Sequence, residues 1–108
     1  MITLYRAVSK AEKEDFDRDQ KFRTGRNTLE VKEFFESEEG VNHFIERTIR
    51  MHYDPPCDFL LHVRIDKQCL GNILYTEMEL DGFTGIAIHE NDLFSFNKCI
   101  KFVAYYDV

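Results

Sequence analysis

Three groups of polar residues sit on apolar segments of this chain and could act on a phosphorylated substrate. Arg6 lies in Leu4-Tyr5-Arg6-Ala7-Val8, Ser37 follows Phe34-Phe35-Glu36, and Glu77 and Glu79 flank Met78. Strand alternation puts Leu4, Arg6 and Val8 on one face and Tyr5 and Ala7 on the other. A guanidinium among apolar neighbours needs an anion, and its planar fork suits phosphate or carboxylate. Arg6 therefore reads either as a ligand contact or as a strand-edge partner of an acid such as Glu79. Ser37 precedes an acidic stretch and is a ready helix N-cap, although a hydroxyl after two aromatics could also position a ligand. Glu77 and Glu79 share a strand face, where like charges resist joint ionisation unless they are solvated or bridged. They read as a solvated face beside the Asp81-Gly82 turn, or as a reactive pair. In the reactive pair one carboxylate would stabilise a cationic transition state and the other would serve as general base. Glu90 directly follows a strand and rivals them for the essential carboxylate. Arg23, Arg26 and Lys32 surround a turn-rich loop and could reach a pyrophosphate, with surface solvation as the ordinary role for each.

The elements that must carry these groups are legible in outline. Ile2 to Val8 reads as a strand. Ser9-Lys10-Ala11-Glu12 is a capping box, so a helix is expected from there toward Asp19, anchored by Ala11 and Phe16. Thr24-Gly25-Arg26-Asn27 has turn chemistry. Leu29 to Phe35 reads as a short strand or an irregular segment. A second helix is expected after Ser37, with Glu38 and Glu39 favoured in its first turn and Val41, Phe44, Ile45, Thr48 and Ile49 as its apolar face. Asp54-Pro55-Pro56 is expected to end it. Phe59 to Ile65, Asn72 to Leu80, Gly82 to His89 and Ile100 to Tyr106 read as strands, and Asn91 as the cap of a helical turn through Phe96. Strand, helix, loop, helix and then several strands predicts an α+β fold with a mostly antiparallel sheet and two main helices.

Composition bounds the function. The chain has 108 residues, 44% of them hydrophobic, with ten Phe and no Trp, which fits one domain over residues 1–108. A net charge of −6 argues against bulk binding to a nucleic-acid backbone. Met1-Ile2-Thr3-Leu4 shows no basic leader region and no long apolar run, so no membrane partner and a cytoplasmic location are expected. Cys57, Cys69 and Cys99 have no C-x-x-C spacing and read as reduced thiols, Cys69 and Cys99 as core fillers. His52 and Cys57 lack regular metal-ligand spacing, so no metal is expected. Phosphate-loop, dinucleotide-loop, zinc-protease and nucleophile-elbow motifs are all missing from the sequence.

Taken in order, these pieces resemble the ADP-ribosyltransferase superfamily over most of the chain. Leu4-Tyr5-Arg6 is similar to the family's first motif, where Arg or His contacts NAD. Lys32-Glu33-Phe34-Phe35-Glu36-Ser37 resembles the second, and Glu77-Met78-Glu79 the third. The resemblance implies a split, curved sheet with NAD, as substrate, in the cleft between two small sheets. It also implies transfer of ADP-ribose to an acceptor such as a protein, or hydrolysis of NAD. Under it Arg6 and Tyr5 hold phosphate or ribose, Phe34 or Phe35 packs on the nicotinamide, Ser37 supports the acid, and Glu79 stabilises the transition state. The chain departs from the pattern in having Ala7 where Gly is frequent, and Glu36-Ser37 where many members carry Ser-Thr-Ser. The rival expectation is a non-catalytic protein-interaction module of similar fold.

Overall fold

The computed structural model describes residues 1–23 and 31–107. Alternation in β1 (Ile2–Val8) buries Leu4 and Val8 on one face and Ala7 on the other, which makes this strand a central one. Ser9 accepts from the backbone N–H of Glu12 and starts α1 (Lys10–Asp19), the Ser half of the expected capping box, while the Glu12 carboxylate goes to Arg6 and Lys32. Phe16 is its buried anchor, whereas Ala11 is exposed. After the undescribed stretch, which contains Thr24-Gly25-Arg26-Asn27, the chain enters β2 (Val31–Phe35) and then α2 (Glu38–Arg50), capped by Ser37. In α2 Val41, Ile45 and Thr48 are buried as the periodicity predicts, but Ile49, expected on the same face, is 64% exposed.

The second half supplies β3 (Phe59–Ile65), the single-turn α3 (Lys67–Leu70), β4 (Thr76–Leu80), β5 (Phe83–His89), α4 (Glu90–Cys99) and β6 (Ile100–Asp107). Four helices are therefore present among the described residues rather than two main ones. The strand expected from Asn72 begins only at Thr76. Asp81 and Gly82 form a two-residue hairpin turn, both with positive φ (52° and 88°), a conformation Asp tolerates and Gly favours. The cap of α4 is His89 rather than Asn91: its ring Nδ1 accepts from the Asn91 N–H. Cys69 and Cys99 are joined in a disulfide, with Cα atoms 5.5 Å apart, which corrects the expectation of reduced thiols and ties α3 to the end of α4.

All six strands lie in one antiparallel sheet, in the order β4-β5-β2-β1-β3-β6. The expected pair of separate sheets is not seen, but the single sheet has a weak seam. β1 and β3 pair over seven residues and β2 and β5 over five, whereas β1 and β2 meet only at Tyr5 and Phe35. One face packs against α1, α3 and α4 through Leu4, Phe16, Phe22, Phe34, Val63, Ile88 and Phe96. The other packs on α2 through Ala7, Phe35, Val41 and Ile45. Phe34 meets Phe22 and Phe96 at ring distances of 5.2 and 4.9 Å, and Asn97 holds the Phe22 backbone by two hydrogen bonds of 2.8 Å. No helix among the described residues is long and apolar enough to cross a membrane.

Phe34 is completely buried at the centre of this cluster. Phe34→Ala is expected to lower unfolding free energy by about 3–5 kcal/mol, because it opens a cavity that fixed neighbours cannot fill. Urea denaturation followed by circular dichroism measures it, and a loss below about 1 kcal/mol would contradict the packing described.

Candidate functional site

The seam between β1 and β2 is where the chain places its charged chemistry. Beyond the Tyr5–Phe35 pair the two strands part, and Arg6 spans the gap. Its Nη1 donates to the Glu33 carbonyl oxygen at 2.9 Å, so a side chain makes the cross-strand bond that the backbone ladder does not. Its Nε and Nη2 grip both carboxylate oxygens of Glu12 at 2.7 and 2.9 Å, a two-pronged pair of the kind the guanidinium geometry favours. Lys32 donates to the same carboxylate at 3.1 Å. Period-two alternation places Lys32 on the face of buried Phe34, and only 5% of its side chain is exposed. Two cations thus share one carboxylate in a mostly enclosed position.

The electrostatics follow from that stoichiometry. Burial pushes the Glu12 carboxyl up, but the Arg6 hydrogen bonds and charge, aided by Lys32, outweigh it and hold the group below its ordinary value. Burial, and then the charge of Arg6, push Lys32 down. With the described residues Arg6 uses three of its five N–H groups and Lys32 one of its three.

These groups line a cleft of about 490 Å³, within the usual range of roughly 300–1,000 Å³ for small-ligand sites. Its wall also includes Phe35, Phe44 and Tyr53, with Glu33 and Asp54 as further acids and Cys57 as the free thiol. Burial pushes the Cys57 thiol up, which keeps it protonated and a poor nucleophile. His52 and Cys57 belong to no group of three metal-binding side chains among the described residues.

The other expected site residues fall elsewhere. Arg6 does find an acid, but the acid is Glu12 and not Glu79. Phe34, sealed in the core, cannot stack on a ligand, and the aromatic wall falls to Phe35 and Phe44. Tyr5 points to the opposite face from Arg6 and packs edge-on against His62 at 4.8 Å. The Ser37 hydroxyl accepts from the Gly40 N–H at 3.0 Å, the work of a cap. Glu77 and Glu79 line a separate hollow with Glu36 and Thr84, where the Thr84 hydroxyl donates to Glu36 at 2.9 Å. Register puts Glu79 opposite Thr84 and Glu77 opposite Ile86, the sheet face that Phe34 and Arg6 also use. Glu90 lies at a third hollow with Phe22 and Arg23, and Arg23 is paired with Asp15 at 3.0 Å and with Asp19. Arg26 lies outside the described residues. Glu12 is the residue the sequence reading missed. Its helical position six residues after Arg6 was a usable signal, because the strand-to-helix turn at Ser9 folds α1 back over β1.

Glu12→Gln leaves two buried cations sharing a neutral amide. It is expected to destabilise the protein by about 3 kcal/mol at pH 7. Because the folded carboxyl titrates below its ordinary 4.5, its contribution is complete above that pH and is lost as the pH falls through the folded value. The wild type should therefore lose stability faster in acid than Glu12→Gln, as thermal melts from pH 7 to pH 3 would record. Parallel pH profiles would refute the role given to Glu12.

Compared with known proteins, the chain matches no family model, no curated protein and no solved structure.

Proposed function

We propose that this chain is a small ADP-ribosyltransferase-type domain that binds NAD in the cleft at the β1–β2 seam and uses it for ADP-ribose transfer or NAD hydrolysis. The observation that carries the reading is the seam itself. Two three-stranded halves of one sheet meet at a single residue pair, and an Arg of the first strand stands in the opening. That is the place where the family resemblance puts the dinucleotide. Arg6 and Lys32 have N–H groups not used by the described residues that could meet a pyrophosphate, and Phe35, Phe44 and Tyr53 offer apolar wall for a ring. The cleft supports the binding half of the proposal. The chemical half rests on the resemblance, which assigns the transition-state carboxylate to Glu79 and makes Glu77 or Glu90 its replacement. Exposed Phe94 and Phe102, 68% and 57% accessible, favour the rival reading of a protein-interaction module.

Titration with NAD, followed by amide chemical shifts, separates the two. Saturable movement of Arg6, Lys32 and Phe35 is expected, and no response up to millimolar NAD would contradict the proposal. Lys32→Met should keep the fold, since it leaves Arg6 and Glu12 as a matched pair, yet weaken NAD binding by about tenfold. Glu79→Gln should abolish turnover while leaving NAD binding nearly unchanged, because that carboxylate acts in the transition state. Unchanged turnover would remove Glu79 from the mechanism.

A further inference from the structure

The sheet has two outer edges, and they differ in what they would do on meeting a second copy. β4 is five residues long. Antiparallel pairing of β4 with itself about Met78 would set Glu77 against Glu79 on both sides, which repels. Short length and charge are the ordinary defences of an edge strand. β6 is eight residues long and ends the sheet, with no described strand on its outer side. Its sequence, Lys101-Phe102-Val103-Ala104-Tyr105-Tyr106-Asp107, is its own antiparallel complement. Pairing centred on Ala104 sets Lys101 across from Asp107, Phe102 across from Tyr106 and Val103 across from Tyr105. The small Ala104 then meets its copy at the two-fold axis.

The exposure pattern matches this register. Phe102 and Tyr106 are 57% and 50% accessible, and Lys101 and Asp107 are exposed at the two ends. Directly opposed residues in an antiparallel pair share a face, so each of these rings would gain an aromatic neighbour from the other copy. Tyr106 is already braced by His62, with ring centroids 4.4 Å apart, and so loses little freedom on pairing. The open N–H and C=O groups of the strand supply the remaining bonds.

We propose that β6 is a homodimer interface, through which two copies join edge to edge in a continuous twelve-stranded antiparallel sheet (twice six strands). The contact is isologous, and each opposite-charge pair occurs twice.

Sedimentation equilibrium of the whole chain tests this directly. The wild type should dimerise. Lys101→Glu and Asp107→Lys should each raise the dimer dissociation constant by about tenfold or more, since each turns two attractive cross-strand pairs into repulsive ones. Both positions are exposed, and circular dichroism should show the fold unchanged. An equimolar mixture of the two variants restores both opposite-charge pairs and should dimerise nearly as well as the wild type. A wild type that stays monomeric up to millimolar concentration would overturn the proposal. So would a dimer indifferent to both substitutions, or a mixture that fails to recover it.

Discussion

One carboxylate, that of Glu12, lies between two cations where the middle of the sheet opens, and the architecture is organised around that arrangement. Arg6 replaces missing backbone bonds between β1 and β2 by reaching the Glu33 carbonyl, and it can hold that pose because Glu12 takes its other edge. The carboxylate comes from α1, which Ser9 starts and Phe16 anchors beneath the sheet. Lys32 is drawn into the same enclosure from the opposite strand. A buried ion group of this kind adds little net stability over an apolar equivalent, because desolvation offsets most of the attraction. What it provides here is a gap in the sheet lined by donors that the described residues do not all use.

Fixing the seam this way has consequences on both faces. On the face that packs against α1, α3 and α4, Phe34 sits under Arg6, whose guanidinium carbon lies 5.7 Å from the ring centroid, and links it to the aromatic core. On the α2 face Phe35 and Phe44 pack at a tilt, with ring centroids 5.7 Å apart, and continue the wall toward Tyr53. The cleft therefore passes from a charged end to an aromatic end. The acids Glu36, Glu77 and Glu79 stand apart from this cleft, in their own hollow with Thr84.

Much of the frame was legible in the residues. Alternation marked Arg6 as an oddity on an apolar face, and the capping chemistry of Ser9 and Ser37 marked where α1 and α2 begin, although α2 ends at Arg50, short of the prolines. The acid that meets Arg6 was overlooked despite its spacing, because Glu12 fits a capping box so well that local chemistry accounts for it without any tertiary partner. Lys32 was misjudged for a related reason: a lysine beside a loop is ordinarily solvated, and only its period-two kinship with Phe34 pointed inward. Phe34 and Phe35 could not be told apart by type, though adjacent strand residues must face opposite ways. His89 displaced Asn91 as the cap of α4 because the strand runs straight into the helix and leaves the imidazole at the turn. The Cys69–Cys99 disulfide depends on α3, a single turn capped by Asp66 that no periodicity announces.

Arg6 is the tie across the seam and, in the function proposed above, also a donor to NAD. The nitrogen-detected Nε–H resonance of Arg6 reports on both at once. In the free protein that proton should exchange slowly with solvent, because it is committed to Glu12, and the signal should shift saturably as NAD is added. A freely exchanging Arg6 Nε–H that ignores NAD would contradict the account.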